Sequence, residues 1–123
     1  NKFCFKTVKE MGLDPKSGIV YTTDRRMWEF DKEFVSYLRK YRIMGIDMEL
    51  ATLYTIGYAY QIPIGSIMLV SDMPLQRRGI KSKESHSEIY SRYMETHIDM
   101  GINTVKAFNQ KWDEVERTLR SEW

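Results

Sequence analysis

Short apolar runs alternate with longer helix-period segments along this sequence, and that alternation restricts the folds open to it. Phe3, Cys4, Thr7, Val8 and Met11 follow helical spacing and stop at Gly12, a natural residue for the position just after a helix. Asp14-Pro15-Lys16-Ser17-Gly18 has turn chemistry, and Ile19 to Thr22 has the β-branched and aromatic content of a strand. Asp31 caps a predicted helix to about Tyr41, with Phe34, Val35, Leu38 and Tyr41 on its apolar face. Met44 to Met48 predicts a second strand. Glu49 to Tyr60 predicts a helix that is apolar nearly all round, hence buried. Pro63 and Gly65 then open Ser66 to Asp72. The continuous run Ile67-Met68-Leu69-Val70 within it predicts a third strand, covered on both faces. Pro74 to Lys83 reads as a loop. From Ser85 a long helix is predicted to reach Leu119, with a stripe of Ile89, Tyr93, His97, Met100, Thr104, Phe108, Trp112, Val115 and Leu119. Helix and strand alternate throughout, the signature of an α/β fold with a mostly parallel sheet.

At 123 residues the chain has the length of one domain. Its 42% hydrophobic and 29% charged content is ordinary for a packed core, and excludes disordered and low-complexity classes. A net charge of +2, from 19 basic and 17 acidic residues, gives no electrostatic reason to bind nucleic acid or an anionic membrane. The longest apolar run is Ile67 to Val70, far short of the ~20 residues of a membrane span. A single cysteine, Cys4, makes neither an internal disulfide nor a cysteine-based metal site. The expectation is a reducing, cytoplasmic compartment. No secretory signal opens the sequence, and its first residue is Asn rather than Met, which reads as a processed product or a piece.

The glycine-rich dinucleotide and phosphate loops are absent, as are His-Glu-x-x-His and Gly-x-Ser-x-Gly. His86 and His97 are eleven residues apart, about 16 Å along one helix, too far to share a metal, and His97 reads as a packed histidine. No metal or other cofactor is called for. Two acidic residues stand out. Asp72 follows the third apolar run, and Glu49 follows Met44-Gly45-Ile46-Asp47-Met48 and opens the next helix. On parallel strands both would sit at the carboxyl edge of the sheet, where open α/β sheets bind ligands. A carboxyl partly desolvated there holds a proton more readily and can act as a general acid. The plainer reading has Asp72 capping a turn and Glu49 favoured by a helix dipole. Spacing by itself favours the plainer reading.

Ile46-Asp47-Met48-Glu49-Leu50-Ala51-Thr52-Leu53-Tyr54 resembles the Met-Glu-x-Ala-x-Leu segment of the purine nucleoside phosphorylase/nucleosidase superfamily. Gly65-Ser66-Ile67-Met68-Leu69-Val70-Ser71-Asp72 resembles that superfamily's last catalytic strand, which ends in Val-Ser-Asp. Three further stretches are similar to the AMP nucleosidase subgroup: Tyr21 to Glu29 (Tyr-Thr-Thr-Asp-Arg-Arg-Met-Trp-Glu), Asp72-Met73-Pro74, and Gly79 to Ser85. The resemblance runs from about Lys2 to Phe108. It implies one nucleoside phosphorylase-like domain over 1–123, the C-terminal part of a three-layer α/β fold with a mostly parallel mixed sheet. Residues 110–123 are a helical extension.

The resemblance also implies roles. Asp72 would protonate N7 of a purine. Met48 and Glu49 would hold the ribose, with Glu49 accepting hydrogen bonds from its hydroxyls. Trp28 or Met27 would line the base pocket. Arg25 and Arg26, ahead of Arg77 and Arg78, are candidates for a 5′-phosphate, whose oxygens match the guanidinium fork. The implied activity is hydrolysis of AMP to adenine and ribose 5-phosphate. A phosphorylase or nucleosidase of other specificity, or a catalytically inactive nucleotide-binding module, are the alternatives. Only the C-terminal part of the superfamily pattern is matched. The glycine-containing phosphate loop and the residues that activate water or bind phosphate are missing from it. The 123 residues are therefore expected to form an incomplete site. The partners expected are a purine nucleotide, further copies of the chain through the terminal helix, and a companion chain carrying the N-terminal part.

Overall fold

The computed structural model describes residues 1–76, 83–113 and 116. Its elements run α1 (Lys2–Glu10), β1 (Ile19–Thr22), a 3₁₀ turn (Trp28–Phe30), α2 (Lys32–Lys40), β2 (Ile43–Asp47), α3 (Leu50–Ala59) and α4 (Lys83–Gln110). Arg77, Arg78, Gly79 to Ser82, Val115 and Leu119 lie outside the described residues.

Both predicted helix stops and starts have the expected chemistry. Gly12 takes φ +78°, its N–H donates to the Lys9 carbonyl, and the Leu13 N–H reaches back to the Val8 carbonyl. That double bond closes the end of α1 in the way a glycine permits. Asp31 caps α2, its Oδ1 accepting from the N–H groups of Glu33 at 3.1 Å and Phe34 at 3.0 Å.

β1 and β2 pair in parallel across the α2 crossover, with Tyr21 opposite Ile46 and Thr22 opposite Asp47. An irregularity between Ile19 and Val20 absorbs Met44. α2 buries Phe34, Val35 and Leu38, and an edge-to-face chain of Tyr21, Phe34 and Tyr37 ties the helix to β1. α1 buries Cys4, Thr7 and Val8, and packs on α4 through Phe3 against Phe108 at 5.5 Å between ring centroids.

The third strand is not formed. Ile62 to Asp72 forms no regular element and makes no ladder, and among the described residues the sheet has two strands. Side chains pin the segment instead. The Ser66 N–H donates to Asn1 Oδ1, the Tyr54 hydroxyl meets Ser66 Oγ at 3.2 Å, and His97 Nε2 lies 3.0 Å from the Ile67 carbonyl oxygen. Nor are both faces covered. Ile67 and Leu69 are half-buried while Met68 and Val70 face outward, so the run behaves as a one-sided strand lacking neighbours.

α3 departs from expectation in the same way. Of its ten residues only Gly57 is buried, and Leu53, Ile56 and Tyr58 are exposed. A helix apolar on every face needs cover on every face, and this chain supplies it on one side only. The whole chain exposes 10343 Å², against about 6,900 Å² for a compact monomer of 14.7 kDa. Among the described residues no helix is long and apolar enough to cross a membrane.

Candidate functional site

Parallel pairing brings the carboxyl ends of β1 and β2 together at Thr22 and Asp47. Pairing continues one residue further, where the Thr23 N–H donates to the Asp47 carbonyl at 2.9 Å. Met48, Glu49 and the loop from Thr23 to Phe30 leave from this edge.

Asp47 organises it. Its Oδ1 accepts from the Thr22 hydroxyl at 2.6 Å, and its Oδ2 accepts from the N–H groups of Glu49 and Leu50. Thr22 Oγ1 in turn accepts from the Ala51 N–H at 2.9 Å. Two side chains, one from each strand end, thus satisfy three of the amides that open α3. The carboxylate of Glu49 is left outside this cap. It is exposed and, among the described residues, accepts only from the Met48 N–H, at 3.2 Å. Glu49 sits at the N-cap position of α3, where the helix dipole favours its charge, but makes no side-chain cap bond: Asp47 caps and Glu49 projects. Sequence spacing gave Asp47 no role; its one signal was an aspartate at a strand end, three residues before a helical amide.

The loop after β1 is anchored by Thr23, which is buried and whose hydroxyl accepts from the Arg25 N–H at 3.0 Å. Arg25 lies along the surface of α2. Its Nη1 lies 3.1 Å from Asp31 Oδ2, and its guanidinium carbon sits 5.2 Å from the centre of the Phe34 ring. Both members of that ion pair are well exposed, so it contributes at most about 1 kcal/mol. Arg26 is exposed. Met27 adopts φ +58° and leaves 69% of its surface open. Trp28 is half-buried, edge-on to Phe34 at 6.2 Å. Arg25 and Trp28 therefore meet on Phe34, and Met27 stands apart.

Asp72 lies at the end of the Ile62 to Asp72 segment, half-buried, with its Oδ1 accepting from the Ser71 hydroxyl at 2.7 Å. A turn follows, closed by the Gln76 N–H on the Met73 carbonyl. No hydrogen bond or ion pair among the described residues joins Asp72 to Glu49 or to the loop after β1. A cavity of about 460 Å³ opens elsewhere, against β1, between α3 and Ser66, and is lined by none of the residues read from the sequence as site residues.

The sequence pattern of the phosphorylase superfamily matches residues 2–105. The chain belongs to that superfamily. An AMP nucleosidase of Escherichia coli K12 is 34% identical over 109 residues, which are 86% of this chain and 22% of that protein. A DeoD-type purine nucleoside phosphorylase of Buchnera aphidicola (subspecies Schizaphis graminum) is 32% identical over 87 residues, 71% of this chain and 36% of that one. The crystal structure of an AMP nucleosidase from Bacteroides thetaiotaomicron superposes with a TM-score of 0.70 at 31% identity, covering 91% of this chain and 40% of that one. The fold is thus nucleoside phosphorylase-like, and the chain spans between a fifth and two-fifths of the length of these superfamily members.

Proposed function

We propose that this chain supplies the acid and the ribose-gripping side of a site that hydrolyses AMP to adenine and ribose 5-phosphate. Asp72 donates a proton to N7 as the C1′–N9 bond breaks. The base leaves as neutral adenine, the oxygen of water bonds to C1′, and the proton that this water sheds passes to solvent, from which Asp72 is reprotonated. General acid catalysis of this kind is worth about 10²–10⁴-fold. Glu49 accepts hydrogen bonds from the ribose hydroxyls and favours the cationic sugar that develops in the transition state. Met48, 46% exposed beside it, packs on the sugar. Trp28 is the wall for the purine, and Arg26 with Arg25 meets the 5′-phosphate. The enzyme works in the cytoplasm, where Cys4 stays a thiol.

The observation that carries this reading is the release of Glu49 from helix capping by Asp47 and Thr22. A carboxylate whose one donor among the described residues is its neighbour's N–H keeps acceptor capacity for a sugar. The DeoD-type relatives support a second reading, phosphorolysis of a purine nucleoside. A chimera carrying this chain in place of the matching segment of the B. thetaiotaomicron protein separates the two. AMP and adenosine are offered with and without inorganic phosphate. Adenine release from AMP that ignores phosphate is the expected outcome. Cleavage of adenosine alone, and only with phosphate, replaces the hydrolase reading with the second.

A further inference from the structure

We infer that Thr22 and Asp47 are positioning residues for Glu49. The lock between the two strand ends fixes where the Glu49 carboxylate stands, and through it how strongly the site favours a sugar that carries a 2′-hydroxyl. This rests on the reading of Glu49 as the ribose acceptor, and adds to it the residues that aim the carboxylate.

The backbone of Glu49 is held on both sides. Its N–H donates to Asp47 Oδ2 at 3.1 Å, and its carbonyl accepts from the Leu53 N–H at 3.2 Å. Two residues earlier the chain is fixed to the sheet, where Asp47 pairs with Thr22 and its carbonyl takes the Thr23 N–H at 2.9 Å. What stays free is the Glu49 side chain. Its Oε2 accepts from the Met48 N–H, which orients the carboxylate and leaves Oε1 without a donor among the described residues. The place of that oxygen is thus set by a backbone whose anchor on the sheet is the Thr22–Asp47 pair.

Thr22 is the member that closes the lock. A hydroxyl has one donor and two acceptor sites, and Thr22 uses both kinds. It donates to Asp47 Oδ1 at 2.6 Å and accepts from the Ala51 N–H at 2.9 Å. Asp47 in turn keeps one oxygen on β1 and the other on the amides of Glu49 and Leu50. The pair therefore bridges β1, β2 and the first turn of α3. Without the hydroxyl, Asp47 loses the contact that fixes its side-chain rotation, and the Ala51 N–H loses its acceptor.

A displacement of about 1 Å at a positioned group costs up to about a hundredfold in rate. That cost falls on a substrate according to the hydrogen bonds the displaced group makes to it. AMP offers Glu49 a 2′-hydroxyl and a 3′-hydroxyl; 2′-deoxy-AMP offers the 3′-hydroxyl alone. A shifted Glu49 therefore penalises AMP more than 2′-deoxy-AMP. A smaller fraction of folded protein lowers both rates alike and leaves their ratio where it was.

The test measures kcat/KM for AMP and for 2′-deoxy-AMP in the chimera with the B. thetaiotaomicron protein, and takes the ratio of the two. Thr22→Val should lower that ratio about tenfold and Asp47→Asn, which has one acceptor oxygen for two sets of donors, about threefold. Thr22→Ser keeps the hydroxyl and should hold the ratio within about twofold of wild type. Gly57→Ala strains the far end of α3 against Ile62 and Ile64; it should lower Tm and leave the ratio within about twofold. Glu49→Ala lowers the ratio by itself, and adding Thr22→Val to it lowers the ratio no further, as expected of residues that act through one another. Asp47→Asn carries the same comparison where Thr22→Val fails to fold. The inference is overturned, and the ribose reading left standing, if Glu49→Ala collapses the ratio while Thr22→Val and Asp47→Asn keep it at wild type. A further fall in the double variant, or a fall in Gly57→Ala as large as in Thr22→Val, overturns it as well. A ratio that Glu49→Ala does not move overturns the ribose reading itself, and the positioning role with it.

Discussion

Thr22 and Asp47, the last residues of the two parallel strands, are joined side chain to side chain by a 2.6 Å hydrogen bond, and together they cap α3. Asp47→Ala leaves the Glu49 and Leu50 amides and the Thr22 hydroxyl without their acceptor. Loss of a helix cap costs about 0.5–2 kcal/mol, and the orphaned groups place this change at the upper end. Urea unfolding should show Asp47→Ala near 2 kcal/mol less stable, and Asp47→Asn about half as much, since the amide oxygen still accepts. An unchanged midpoint for Asp47→Ala would remove the cap from the account.

Gly57 and Gly101 should respond to alanine in opposite directions. A Cβ on Gly57 would stand 2.2 Å from Ile64 Cγ1 and 3.0 Å from the Ile62 carbonyl oxygen, and Ile62 also donates its N–H to the Gly57 carbonyl. Gly57→Ala therefore pushes the segment from Ile62 to Ile64 off α3, at about 1–3 kcal/mol. A Cβ on Gly101 meets nothing within 4 Å inside α4. Gly101→Ala should stabilise by about 0.5–1 kcal/mol through helix propensity alone. Thermal unfolding of the two variants side by side checks both signs.

Trp28 and Met27 are separated by what holds them. Trp28 rests against Phe34, while Met27 is held at a positive φ with its side chain in solvent. Trp28→Ala in the chimera should raise KM for AMP about tenfold through loss of the stacking wall. Met27→Gly should leave KM within twofold and raise Tm, because glycine adopts that backbone conformation without the Cβ penalty. Equal KM effects would make Met27 a second wall.

Arg26 is the freer of the two neighbouring guanidinium groups, since Arg25 is engaged with Asp31 and Phe34. Arg26→Ala should weaken AMP about tenfold and leave adenosine within twofold, the pattern of a phosphate contact. A change of equal size for both substrates would assign Arg26 elsewhere.

Much of this architecture is legible in the sequence, for local reasons. Gly12 stops a helix because of its backbone freedom, and Asp31 starts one because its carboxylate reaches two amides; both acts involve residues within five positions. That Ile19–Thr22 and the run ending at Asp47 are strands of a parallel sheet follows from β-branched content and the alternation with helices; their direct pairing is seen only in the fold. The run Ile67 to Val70 does not form the expected strand because hydrophobicity reports what a segment needs, not what this chain can give it. The same is true of α3, whose apolar outer faces have no cover here. Glu49 stands out in the sequence by its place after an apolar run, and only the resemblance gives it a role. The local half of Asp47's role has a signal, an aspartate three residues before a helical amide, but its partner Thr22 is 25 positions away and no local pattern announces that pairing.

Proton donation by Asp72 is the central claim, and Asp72→Asn in the chimera tests it most directly. Its side chain is half-buried and its present partner is a hydroxyl, so the isosteric amide should fold normally. Adenine release from AMP should fall about 10²–10⁴-fold with KM within about threefold. A ribose 5-phosphate carrying 4-nitrophenolate, which leaves without a proton, should still be cleaved at close to the wild-type rate. Adenine release within tenfold of wild type, or an equal loss on both substrates, contradicts the claim.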